Sequence, residues 1–401
     1  MTASKKLIIY KILIFAFAII VAFLPSTVSR SKEVNSRVIV EIIGIDVSDG
    51  VEVTAQYVMP TETDGATSKD TVTVKEKTLT EAVEALGTAL GRRAELGHCS
   101  IVIAGKNAPP ELFGTLMTAT DVTADVYLCA AEGEAKELIG KITDFMKKTG
   151  ATDADFIAYG AQKAHIATNT VLGFMSDLGS ASGTAFMPVV QMLDECEESG
   201  GSGGESSGGG GSSEGGESGG GSGSGGSGGS EGGDKCSDSG MKVEKLALYD
   251  RTGRRGILDK AAARGVAWVS APIEEGIVTA DVEFGGETVK DVSAALVKKS
   301  VDIKVKPETA GATVKVKATV VPSGDKFNAV DSKGDASAAV KSAFASSIKK
   351  EIAQAYDSAL ALDCDPLFIA RQFYRFAPDY YERDYSAQNI DVAIEVEVVL
   401  K

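Results

Sequence analysis

The sequence predicts a mixed α+β and α/β protein, built of β-sheets with helices packed on them, behind an N-terminal membrane anchor. Three observations predict it. Lys5, Lys6 and Lys11 precede a stretch, residues 12–24, that carries no charge. About 370 residues follow the anchor, more than one hydrophobic core usually organises, so two or three domains are expected. Strand-like alternation of apolar and polar residues then recurs between stretches of helical period. The resulting division is an anchor or signal at 1–33, an N-terminal α/β domain at 34–145, a middle α/β domain at 146–272 and a C-terminal α/β domain at 273–401.

Counted from Leu7, the anchor holds about 18 residues, or roughly 27 Å of helix at 1.5 Å per residue, which just spans a bilayer if Lys11 reaches the interface. Lysines before the apolar run place the N-terminus in the cytoplasm and residue 30 onward outside. Pro25-Ser26-Thr27-Val28-Ser29 offers small side chains but no clean small-x-small cleavage site, which favours an uncleaved anchor over a removed signal.

In the first region, residues 38–45 and 51–58 alternate about a Ser48-Asp49-Gly50 turn and read as a β-hairpin. A third strand at 71–74 leads into Thr78-Leu79-Thr80-Glu81, a capping box in which Thr78 and Glu81 satisfy the first free amides of a helix. Leu79, Ala82, Val83, Leu86 and Leu90 give that helix one apolar face. A strand at 100–104, a helix after Pro110 and a strand at 122–130 complete the unit.

The second region predicts one long helical stretch over about 153–178, an apolar strand at 185–193 and a strand at 243–249. These two strands are read as parts of one sheet interrupted by an insertion at 197–240. Residues 199–233 are almost entirely Gly, Ser and Glu, with no apolar side chain to offset ordering entropy, so disorder is expected there. Its glycines match G-x-G-x-x-G repeatedly, but no strand leads in and no helix follows, so they carry no nucleotide-binding information.

The third region alternates most regularly, at 278–284, 301–305, 314–318 and 390–400, as expected of a sheet with one wet face. Its cover is a helix over about 336–362, with Val340, Phe344, Ile348, Ile352 and Tyr356 on one stripe. A shorter helix is expected to start with Asp365 as N-cap and Pro366 at its first position.

The net charge of −15 is concentrated: residues 194–240 hold ten acidic residues against Lys235, which supplies −9 of it. The rest of the chain has no basic patch, which argues against nucleic acid as a partner. His98 and His165 are the two histidines, neither at ligand spacing from a cysteine nor in a nucleophile motif, so no metal, cofactor or reaction is indicated. Glu195, Glu197 and Glu198 read as a solvated edge. Among five cysteines, Cys99, Cys129 and Cys364 lie in or beside apolar elements and read as small buried residues. Cys196 and Cys236 flank the insertion. They either form a disulfide across its base in an oxidising compartment or are two free thiols.

From residue 34 to the C-terminus, the insertion excepted, the chain resembles the C subunit of bacterial spore germinant receptors, the Ger(x)C family. The resemblance rests on Glu41-Ile42-Ile43-Gly44-Ile45-Asp46, Thr78-Leu79-Thr80-Glu81-Ala82, Gly91-Arg92-Arg93 and Leu96-Gly97-His98 in the first region. It continues through Pro188-Val189-Val190, Leu246-Ala247-Leu248-Tyr249 and Gly256-Ile257-Leu258 to Asp365-Pro366-Leu367, Phe373-Tyr374-Arg375 and Pro378. Family members usually carry a lipid-anchoring cysteine just before the first strand; here Leu24-Pro25-Ser26-Thr27 stands there, and the first cysteine is Cys99. The apolar helix is therefore expected to anchor the chain. The resemblance implies three α/β domains and a non-enzymatic accessory subunit, in the spore inner membrane with its folded part on the extracytoplasmic side. Its implied partners are integral-membrane receptor subunits. An envelope solute-binding or sensing protein is the alternative, and an envelope hydrolase a third, weaker reading.

Overall fold

The computed structural model describes residues 37–60, 67–149, 155–192, 240–270, 276–324, 326–327 and 336–401. The anchor expected at 1–33 lies outside the described residues, as does the insertion at 197–240 except for Gly240. Among the described residues, no helix is long and apolar enough to cross a membrane.

The hairpin forms as the alternation predicts, with β1 (Arg37–Val47) antiparallel to β2 (Val51–Pro60), and β3 (Thr67–Glu76) extends it, longer than expected. Helix α1 (Leu79–Leu90) opens on the predicted capping box: the Glu81 amide donates to Thr78 Oγ1 and the Thr78 amide to Glu81 Oε2, both at 3.2 Å. There follow β4 (Arg93–Glu95), β5 (Ile101–Ala104), α2 (Glu111–Ala119), β6 (Tyr127–Ala131) and α3 (Ala135–Thr149). Next come α4 (Asp155–Lys163), β7 (Asn169–Thr170), α5 (Val171–Gly179), β8 (Ala185–Met192), β9 (Met241–Asp250), β10 (Gly253–Leu258) and α6 (Lys260–Ser270).

These strands form one ten-stranded sheet in the order β10-β9-β8-β6-β5-β1-β2-β3, with β4 beside β1 and β7 beside β6. Its central strands β1, β5, β6 and β8 run parallel and are apolar on both faces, as helices on both sides require. Ile42, Ile101 and Ile103 point into one core while Ile43, Val102 and Ala104, one residue out of phase, point into the other.

The expected division at 145/146 is thereby corrected. The boundary falls inside α3, and β6 pairs directly with β8, so the first two regions share a sheet instead of building one each. The expected continuous helix over 153–178 is also corrected. It is two helices, parted where His165 takes φ 58° and Asn169–Thr170 pairs with β6; Thr170 then caps α5 by accepting the Gly173 amide at 3.1 Å. The strand expected over 122–130 begins only at Tyr127. By contrast, β8 and β9 belong to one sheet, as read from their positions around the insertion, and they pair antiparallel.

A second sheet, in the order β11-β12-β13-β14, comprises β11 (Ile277–Phe284), β12 (Glu287–Lys306), β13 (Gly311–Ser323) and β14 (Asp391–Leu400). Val314, Val316, Ala318 and Val320 are buried, while Lys315 and Lys317 between them are exposed. The covering helix is α7 (Ser337–Leu360), whose Val340, Phe344, Ile348 and Ile352 are buried, the stripe the spacing predicts. It also packs on α6, joining the two sheets. The approach is close enough that a Cβ on Gly265 would lie 2.0 Å from the Glu351 carbonyl oxygen, so only glycine fits.

After α7 the chain turns into α8 (Ile369–Phe376) and α9 (Pro378–Arg383). The expected helix start at Pro366 is corrected, because Pro366 and Leu367 form a turn and α8 begins at Ile369. Asp365 nevertheless caps it from four residues upstream. Its Oδ1 accepts the Ile369 amide at 3.0 Å, and its Oδ2 accepts the Ala370 amide at 2.7 Å and the Ser182 hydroxyl at 2.8 Å. This carboxylate therefore ties α8 to the loop before β8.

Candidate functional site

Between the two sheets lies a buried polar junction. Trp268, at the end of α6, is fully buried, donates from Nε1 to Glu351 Oε2 at 2.7 Å, and packs on the His165 ring at 4.4 Å between centroids. Arg264 pairs with Glu351 at 3.3 Å. Lys299, from β12, donates from Nζ to the Trp268 carbonyl at 3.1 Å and to that of Ala267, so its amine satisfies carbonyls at the C-terminal end of α6. Burial pushes Lys299 down to about 7 and Glu351 upward. Burial, and then the charges of Arg264 and Lys299, push His165 down to about 3, so its ring is neutral. Neither ring nitrogen of His165 has a hydrogen-bond partner among the described residues.

Beside this junction opens a cleft of about 1030 Å³. Tyr127, Asn169, Thr170 and Phe186 form the wall from the large sheet, residues 301–305 of β12 the wall from the small one, and Arg371, Gln372, Arg375 and Phe376 of α8 the third side. Ile369, Ala370 and Phe373 bury the opposite face of α8, which leaves both arginines toward solvent. The Arg375 guanidinium lies 5.1 Å from the Phe376 ring centroid, and Phe376 itself is 61% exposed. Asp177 accepts from Asn169 Nδ2 at 3.1 Å; burial pushes its carboxyl upward, opposed by that bond and by Arg371. Asp302 and Lys304 pair at 3.6 Å on the exposed side of β12.

Cys196 and Cys236 lie outside the described residues. His98 is exposed and His165 buried at 1% exposure, while Cys99, Cys129 and Cys364 are free, buried thiols, pushed up to about 12, 12 and 11 respectively, mainly by burial. Two residues of the first motif that carries the family resemblance have structural roles. Asp46 accepts the Ala135 and Lys136 amides at 2.8 and 3.0 Å and so caps α3, and Gly44 leaves room for Ile139, whose Cδ1 would sit 2.6 Å from an added Cβ. Sequence reasoning missed Arg371 and Arg375. The signal was present, since the eight residues of α8 set Ile369, Ala370 and Phe373 on one helical face and the two arginines, at i and i+4, on another.

Two sheets locked through a buried junction, with an open cleft edged by arginine and aromatic side chains, make an arrangement suited to binding. Residues 30–192 match the family described as spore germination protein N-terminal domain, and residues 245–401 match that described as spore germination B3/GerAC like, C-terminal. The chain therefore belongs to the GerAC-like spore germination proteins. It is also similar to the solved chain titled crystal structure of the GerBC protein, at 12% identity and a TM-score of 0.44, over 89% of this chain and 96% of that one. No curated protein matches it. The family stretches do not follow the sheets: β10, α6 and β9 from residue 245 onward belong by sequence to the C-terminal stretch, yet the two strands complete the large sheet.

Proposed function

We propose that this chain is a non-enzymatic accessory subunit of a spore germinant receptor complex, supporting germination in response to nutrients. The observation that supports it most is the match of both family stretches, in order, over about four fifths of the chain. In this reading residues 1–33 hold the protein in the spore inner membrane without being cleaved, and the two sheets work on the extracytoplasmic side beside integral-membrane subunits. The uncharged run at 12–24 behind three lysines supports that placement. The test is purification of the full-length chain from carbonate-washed, detergent-solubilised spore membranes. Retention in the washed membranes with its own N-terminal peptide, and recovery with multi-span partners, is the expected result. A soluble chain beginning near Arg30, recovered alone, would contradict it.

A further inference from the structure

Part of one edge of the longest strand of the small sheet has no strand partner among the described residues. The 20 residues of β12 pair with β11 only through 287–295 and with β13 through 293–306. From Val301 to Lys306, the edge on the β11 side has no strand partner among the described residues, and residues 301–305 form one wall of the cleft. Six residues of free edge extend about 20 Å at roughly 3.3 Å each. An open row of main-chain amides and carbonyls is satisfied by another main chain, which neither a headgroup nor a small anion supplies.

The surroundings select the incoming strand. Along this edge Val301, Ile303 and Val305 are half-buried, while Asp302, Lys304 and Lys306 are exposed. Arg371 and Arg375 line the same cleft, with Phe186, Phe368 and Phe376. An added strand alternates its side chains between the same two faces. Apolar residues fit the face of Val301, Ile303 and Val305, and acidic residues the face of Lys304 and Lys306. We infer that the free edge of β12 takes an extended segment of a partner protein, one that alternates acidic and apolar residues, as an added strand lying in the cleft between β12 and α8.

Two other occupants fit less well. A second copy presenting the same edge brings two lysine-bearing strands together. The chain's own acidic stretch at 199–233 is almost entirely Gly, Ser and Glu, so it lacks the apolar alternation and the strand propensity. The lysines that blunt the edge against ordinary strands admit an acidic one. This inference goes beyond the germination reading: a cross-linked acidic segment from any protein supports it, whatever the germination phenotype.

The experiment places p-benzoylphenylalanine at position 376 of the full-length chain in its native host, with a second probe at Met59, 37% exposed on the far side of the large sheet, as the control. After irradiation, mass spectrometry should map the adduct from 376 to an alternating acidic and apolar segment of a different polypeptide, absent with the probe at 59. Lys304→Glu together with Arg375→Glu should lower the yield at least about tenfold, and Lys304→Gln with Arg375→Gln by less, while both doubly substituted chains melt with their parent. Adducts to a second copy, to residues 193–239 of the same chain or to lipid alone would overturn the inference. So would an absence of adducts, or a yield indifferent to charge reversal.

Discussion

Replacing Asp365 by alanine removes a carboxylate that holds α8 to the large sheet. Three donors lose their acceptor together: the amides of Ile369 and Ala370 and the hydroxyl of Ser182. Stranding a buried donor costs about 1–3 kcal/mol, but part of that loss is returned because a buried charge disappears as well. Burial pushes Asp365 from 3.8 up to about 6, in spite of the hydrogen bonds from Ala370, Ile369, Ser182 and Phe368 that lower it. At about 1.36 kcal/mol per unit, its ionised form is held in the folded state at a disadvantage of roughly 3 kcal/mol. A carboxyl whose folded pKa is raised binds its proton more tightly folded than unfolded. Its contribution is therefore fully present below about 3.8 and is lost as pH rises through about 6. Asp365→Ala should cost about 1–3 kcal/mol at pH 7, and up to about 3 kcal/mol more at pH 4. The assay is urea unfolding of parent and variant at pH 4, 5 and 7, followed by fluorescence of Trp268, the single tryptophan, which sits in the junction. A difference below about 0.5 kcal/mol at pH 7, or one that shrinks in acid, would refute the reasoning.

Gly265→Ala should destabilise the chain by about 3 kcal/mol, because the new methyl meets backbone of α7 that cannot rotate away; circular dichroism melting checks it, and an unchanged midpoint would show the two helices to be separable. Cys99, Cys129 and Cys364 should resist iodoacetamide at pH 8 until the chain is denatured, since burial raises all three thiols well above that pH. In the same non-reducing peptide map, a peptide joining Cys196 to Cys236 would establish the disulfide we propose across the base of the insertion. A loop of this length makes the bridge worth about 4 kcal/mol by chain entropy, and full alkylation of both thiols without reductant removes it.

Much of the fold was legible because its determinants are local. The period-two alternation of the hairpin, the Thr78 and Glu81 capping box and the Val340 to Ile352 stripe each specify one element without reference to the rest. What escaped was set by contacts distant in sequence. The pairing of β6 with β8, which merges two expected domains into one sheet, joins strands some 60 residues apart through backbone bonds that no side-chain pattern records. The break at His165 goes with a positive φ in a packed loop, and the late start of α8 with a positive φ at Phe368, directly before it. The cleft was invisible for the same reason: its walls come from β6, β7, β8, β12 and α8, which meet only once both sheets have formed. Arg371 and Arg375 could be placed on one helical face from sequence, but not in the cleft that the free edge of β12 also lines.

The central claim, that this member of the spore germination family serves a germinant receptor, is tested most directly by deleting its gene and following single spores during germination. The account predicts a slowed or abolished response to at least one nutrient, restored by the full-length chain, with germination through direct release of the core's chelated calcium left intact. Unchanged responses to every nutrient tested, or expression confined to vegetative cells, would contradict it.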